Sequence, residues 1–321
     1  MGVNTVSARN NPVLQGVALG FQNTQDMFIA SKLFPGIKVD KLTGDIKTYG
    51  KEHLRIINTV VEDGGTKRMS FSVTKAEKWD INNHQLTIFV SEKDIDQLGA
   101  QVAKNDAATM NMETLMLSRE NAVVSALTTA GNYAVANNTT LVGGDQWSAF
   151  STSDPRGDLI TAREAVRTSC GRYPNTAVMN PAVLNYLQNH PQIRDAAAYK
   201  GEAVVSMDML KTILFPTYKP SDCEILIGAA QYNSANEGQT GVMADLWGKV
   251  FIYAYVNRNP SPAIHQNSLG YSFNRGKDAI QVLETRGNMY RENEVDITDR
   301  WEYDDVVLDF GSAYLISAAV A

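Results

Sequence analysis

The sequence predicts an α+β fold in which a compact mixed domain is held between extended segments. Three stretches carry that prediction. Asp45 to Val90 reads as extended chain, with Phe71 and Val73, then Leu86, Ile88 and Val90, alternating with polar residues. About 107–130 reads as one long amphipathic helix, with Met112, Leu115, Met116, Val123 and Leu127 on one stripe. CEILIGAA (Cys223–Ala230) and KVFIYAYV (Lys249–Val256) read as buried strands set among short capped helices.

Taken in order, residues 1–27 are polar and rich in Asn and Gln, the composition of an arm rather than a core element. FIASKLFPGIKV (Phe28–Val39) follows, an apolar run ending in a Pro-Gly turn and a short strand. EDGGTKR (Glu62–Arg68) is a turn near the midpoint of the extended stretch, which predicts one long hairpin. A lone two-stranded hairpin is marginal in water and its edges invite pairing. Little nearby sequence is available to cover it, so a neighbouring subunit is the economical partner.

The long helix is given Asp106 as N-cap and Gly131 as its stop, a length of roughly 35 Å at 1.5 Å per residue. GGDQWSAFSTSDPRGDLITA (Gly143–Ala162) gathers serines, aspartates and an arginine, the ingredients of an active site. Its order favours a loop running into a helix: Asp154 at the N-cap, Pro155 at the first position, Asp158 offsetting the dipole in the first turn, and Gly171 at the end. Ala177–Met179 reads as a buried strand, Asn180-Pro181 as the start of a helix, and Ser206 as the cap of another. Gln231–Gly241 reads as a polar loop. Near the C-terminus Val295, Ile297, Trp301 and Tyr303 share one parity, whereas Val306, Leu308 and Phe310 share the other. That predicts a bulge or break at Asp304-Asp305.

No catalytic, cofactor-binding or metal-ligating residue is assigned. The phosphate loop, the G-x-G-x-x-G turn and the G-x-S-x-G elbow are all missing from the sequence. His53, His84, His190 and His265 are dispersed, with no helical metal pair among them. Cys170 and Cys223 read as buried inert thiols, a pattern that suits a reducing compartment. Asp296, Asp299, Glu302, Asp304, Asp305 and Asp309 offer a cation-binding cluster on paper; a solvated strand face or an intersubunit salt-bridge row is the plainer reading. With 29 basic against 35 acidic residues and a net charge of −6, the chain lacks the basic character of a sequence-specific DNA binder. It has no apolar run of membrane-spanning length and no signal-peptide pattern.

The order of parts resembles the major capsid proteins of tailed bacteriophages, the Hong Kong 97-like fold. FIASKLFPGIKV, WSAFSTSDPRGDLITA (Trp147–Ala162), NTAVMNPAVLNYLQNHPQI (Asn175–Ile193), DLWGKVFIYAYV (Asp245–Val256) and ENEVDITDRWEYDDVVLDFGSAYLI (Glu292–Ile316) resemble successive stretches of one branch of that family. The resemblance implies an N-terminal arm over 1–40 and an extended loop over 41–92. It implies a peripheral domain over 93–154 and 262–321 with spine helix 107–130, and an axial domain over 155–261. It also implies a non-enzymatic subunit closing with itself, as pentamers and hexamers, into an icosahedral head around double-stranded DNA.

The expected partners beyond the chain itself are a separate scaffolding protein, a portal and a decoration protein, with no cofactor. The expected location is the virion, assembled in the bacterial host cytoplasm. The tip residues Asp63, Gly64, Gly65, Lys67 and Arg68 are the expected inter-subunit contact. Nothing in the sequence marks Lys67, Lys75 or Lys78 as a cross-linking residue. The competing readings are an encapsulin-type compartment, a tail or tube subunit, and a soluble hydrolase with its site in 155–261.

Overall fold

The structure is a computed structural model that describes residues 9–10, 27–49, 56, 60, 65–66, 73–198, 205–236, 238–240, 242–259, 267–275, 280–286 and 295–321. Among these the chain forms β1 (Arg9–Asn10), α1 (Ala30–Leu33), β2 (Gly36–Lys38), β3 (Thr43–Tyr49), β4 (Val73–Asp80) and β5 (Asn82–Val90). Then come α2 (Glu92–Leu98), α3 (Ala100–Thr128), β6 (Asn138–Thr140), α4 (Pro155–Cys170), β7 (Thr176–Met179), α5 (Pro181–Asn189), α6 (Pro191–Ala198) and α7 (Met207–Leu214). The remainder is strands: β8 (Glu224–Ile227), β9 (Gln231–Asn233), β10 (Met243–Asp245), β11 (Phe251–Ala254), β12 (Gly270–Asn274), β13 (Gln281–Arg286), β14 (Val295–Val307) and β15 (Ala313–Ser317).

Two sheets share one long helix. The first runs β1-β13-β14-β12-β2, with β5 pairing β14 on its other side. The second runs β6-β15-β11-β7-β8. The second sheet is apolar on both faces, as a sheet covered on both sides must be. Ala177, Met179, Phe251, Tyr253, Tyr314 and Ile316 face the helices α4 to α7. Val178, Ile252, Ala254, Ala313 and Leu315 face the opposite layer, which contains α1 and the C-terminal turns of α3. The N-terminal turns of α3 lie on the first sheet through Ala103, Ala107, Ala108, Met112 and Leu115. The long helix is therefore a strut between two cores.

Several expectations hold. Asp154 caps α4 by accepting from Gly157 N at 3.0 Å, with Pro155 at the first position and Gly171 in the left-handed conformation at the end. Asn180 caps α5 and Ser206 caps α7. The short strand after Pro35-Gly36 is β2.

Others change. The spine helix starts at Ala100 rather than 107, and its 29 residues give about 43 Å. Asp106 is an exposed residue inside it, not its cap, because the buried stripe continues back through Ala103. The chain turns sharply before it at Gly99, whose φ of 85° favours glycine. The stretch read as one hairpin over 41–92 divides at Ile81. β3 pairs β4 from Thr43↔Asp80 outward, whereas β5 joins the first sheet along β14. β15, placed by sequence with 262–321, is the neighbour of β11 in the second sheet, since its AYLI run is buried on both faces. The first three residues of the expected loop 231–241 are instead strand β9, which pairs with β10 in a small hairpin.

The predicted break at Asp304-Asp305 is absent. β14 is continuous over 13 residues, and its pairing with β12 runs through both aspartates without a shift. The parity change has another cause. The odd residues Val295, Ile297, Trp301 and Tyr303 pack under the spine helix, whereas Val306 and Leu308 pack with Ile81, Tyr271 and Phe273 on the other side.

Candidate assembly site at the hairpin root

The hairpin is fixed to the body by a small set of contacts on the even face of β14. Trp79, near the end of β4, stacks on Phe273 of β12 with centroids 4.9 Å apart and planes at 10°. Its indole N–H reaches Lys41 O at 3.4 Å. Gly44 lies directly across from Trp79, and a Cβ there would sit 2.0 Å from the ring. Asp304 accepts from Asp80 N at 2.7 Å, and Ile81 is buried with its N–H on Leu42 O. On the odd face, three residues beyond Ile81, the ring of His84 stacks on Tyr303, centroids 4.4 Å apart. Burial holds the His84 pKa below its ordinary value despite the nearby Asp305 and Asp304. Burial likewise raises the carboxyl of Asp304, against the hydrogen bond from Asp80.

The odd face of β14 is tied to the spine helix. Arg119 binds Asp305 with two N–H groups at 2.7 and 2.8 Å and lies over Trp301 and Tyr303, 4.6 and 4.9 Å from their centroids. The ion pair is almost fully buried, at 6% and 10% side-chain exposure. A forked guanidinium that also stacks is the arrangement lysine cannot reproduce.

The segment after the arm has its own anchor. The first N–H groups of α1 find no cap in their own sequence. Glu120 of α3 supplies one: its carboxylate accepts from Ile29 N at 3.1 Å and Ala30 N at 2.8 Å. It also accepts from Trp247 Nε1 at 2.5 Å. One buried carboxylate thus joins the arm root, the spine helix and the Trp247-Gly248 turn. Its pKa is raised, burial outweighing those donors.

The features that suggested catalysis are wired differently. Ser153 Oγ donates to Ala149 O at 2.8 Å and so accepts from His190 Nε2 at 3.1 Å, while His190 Nδ1 accepts from Gln192 N at 3.3 Å. A general base needs the reverse, a ring nitrogen accepting from the hydroxyl. Asp158 accepts from Trp147 Nε1 at 2.9 Å, a structural use. Both cysteines are buried, and burial lifts the Cys223 thiol to about 11. The acidic series is split between the two faces of β14, and no group of three ligating residues converges among the described residues. Asp309 instead accepts from Gly311 N at 2.8 Å.

Of the expected tip residues, Gly65 is exposed, whereas Asp63, Gly64, Lys67 and Arg68 lie outside the described residues. Sequence reasoning missed the root. A lone tryptophan at the end of a polar strand, Trp79, facing Gly44 across the ladder, was the available signal.

Residues 100–223 match the model of a family described as phage major capsid protein E. The major capsid protein of Burkholderia phage BcepMu is 28% identical over 318 residues, covering 96% of this chain and 95% of that one. Among solved structures, a phage-related protein of Bordetella bronchiseptica RB50 superposes with a TM-score of 0.72 at 24% identity over 98% of both chains. A structure from Microbacterium phage Oxtober96 has a TM-score of 0.54 at 12% identity over 90% of both. Sequence and fold agree: the chain is similar to phage major capsid proteins along nearly its whole length, and its fold resembles the Hong Kong 97-like capsid fold.

Proposed function

We propose that this chain is a structural shell subunit that closes with itself, as pentamers and hexamers, into an icosahedral phage head around double-stranded DNA. The observation that carries the reading is the hairpin β3–β4. It pairs with itself alone among the described residues, yet its root is fixed by stacking, burial and hydrogen bonds. A rigidly aimed, laterally unsupported ladder is a part made to lie on something else, and a second copy of the chain supplies that surface. On this reading 1–40 is the arm and 41–92 the extended loop, with β5 as its foundation. The peripheral domain is 93–154 with 262–321, and the axial domain is 155–261 with β15 contributed to its sheet. The subunit acts by contact rather than catalysis, resides in the virion, and is assembled in the host cytoplasm with scaffolding, portal and decoration proteins.

Electron microscopy of the purified full chain, alone and with its scaffolding partner, tests this. Shells or ring-shaped capsomers are the expected outcome. A monodisperse monomer under both conditions would sink the proposal, and shells filled with protein cargo would redirect it to a compartment. Deleting Gly64–Arg68 should leave a soluble subunit that assembles poorly, and normal shells from that variant would remove the loop from the interface.

A further inference from the structure

Beneath the spine helix lies a polar defect that none of the contacts above uses. Asp299 points from β14 toward α3 and is fully buried, and among the described residues neither carboxylate oxygen has a hydrogen-bond partner. Its register partners are Leu86 on β5 and Val282 on β13, both apolar. Two further buried atoms on the same layer lack partners: Asn111 Oδ1 on α3 and Trp301 Nε1, two residues along β14. Asn111 is held beside them because its amide N–H donates to Ile297 O at 2.8 Å.

Three orphaned oxygens and one orphaned indole N–H in one helix–sheet layer are costly, since buried polar groups are normally satisfied. A neighbouring subunit cannot repair the defect, because Asp299 exposes no surface. The missing partners have to come from inside the subunit or from water.

Three charged or titratable groups of the packed elements are engaged elsewhere. Arg119 binds Asp305 and Lys104 binds Glu284 of β13, while His84 of β5 stacks on Tyr303. Burial alone acts on Asp299, lifting its carboxyl to about 7. Among the described residues, the hydrophobic cluster around it contains Ala108, Met112, Leu115, Val282 and Ile297.

We propose that Asp299 is a proton-controlled latch for the spine helix. With the carboxyl neutral, α3 lies on the first sheet as seen here. Ionisation drives the helix toward a second seat in which the orphaned groups acquire partners or water. The proposal rests on the shell reading only for its use, since the spine helix joins both cores of the subunit. The latch itself is a property of the single chain.

The sign follows from linkage. A carboxyl whose folded pKa lies above its unfolded value stabilises the seat fully below the ordinary aspartate range. That contribution is lost as pH rises toward about 7 and is level above it. Hydrogen–deuterium exchange of the full chain, corrected for intrinsic rates, reads this directly. Between about pH 5 and pH 8, protection of Ala100–Thr128 and Val295–Val307 should fall by at least about tenfold in the wild type. In Asp299→Asn it should stay flat at the acidic level.

An unchanged slope in Asp299→Asn, or a flat wild type, overturns the proposal. Asp299→Leu is the second variant, because an apolar side chain of similar size fits the layer. Should neither fold, infrared difference spectra of the wild type decide. A buried protonated-carboxyl band that disappears as helix protection falls supports the latch, and its absence defeats it. Failure of shell formation with an intact pH response would reject the assembly reading and leave the latch standing.

Discussion

Glu120 shows how much a single side chain can hold. It ties two separate segments to its own helix, and two of the three donors are the uncapped N–H groups at the start of α1. Removing the acceptor leaves buried donors bare, at about 1–3 kcal/mol each. Glu120→Ala should therefore lower unfolding free energy by about 3 kcal/mol or more in urea, and should raise protease sensitivity first around Ala30. Loss of less than about 0.5 kcal/mol would mean that water replaces the carboxylate without cost.

Arg119 invites a sharper comparison. Arg119→Lys keeps the charge but loses the fork and the stack, so it should destabilise by about 2 kcal/mol or more. Arg119→Ala strands Asp305 in the interior and should cost about 3–5 kcal/mol. Equal stabilities for arginine and lysine, measured by denaturant unfolding, would show that charge alone matters there.

Among elements, the hairpin root separates folding from assembly. In Gly44→Ala the new methyl would occupy the position of the Trp79 ring, forcing it off Phe273. The two cores of the second sheet are remote from that contact, so the melting midpoint should move little while assembly yield falls. A large drop in midpoint would place Trp79 in the global core instead.

Sequence patterning was informative for elements with local signals and silent for those without. Asp154-Pro155, Asn180-Pro181 and Ser206 announced α4, α5 and α7, because a cap is a local chemical event. The start of α3 was misplaced because Asp106 imitates a cap while lying on the exposed side of a helix already under way. The parity change in β14 was visible, but a bulge and a change of burial face look alike in one dimension. The root contacts, Trp79 with Phe273 and Asp80 with Asp304, join residues far apart in sequence and left no spacing to read.

In the whole molecule, pairing between the two ends of the chain builds the first sheet. Asp80 and Asp304 are 224 residues apart, β5 meets β14 across about 200 residues, and β2 runs beside β12. Contacts of such separation form late and slowly, after the loops between them have lost their freedom. Refolding from denaturant should accordingly show an early phase in the helical layer of the second sheet. A slow phase should follow, reported by Trp79 fluorescence as it settles on Phe273; a single fast phase for both would contradict this order.

The β14 strand consequently does more than complete a sheet. Until it is in place, β5 has no ladder and Asp80 no acceptor, so the hairpin has no fixed direction. On the proposed shell reading, maturity of the subunit is thereby advertised at its surface: a half-folded chain would present a hairpin that points nowhere, and only a finished one would offer neighbours a limb at a set angle. On that reading the long-range topology would act as an inspection step, keeping incomplete chains out of a growing lattice by geometry alone.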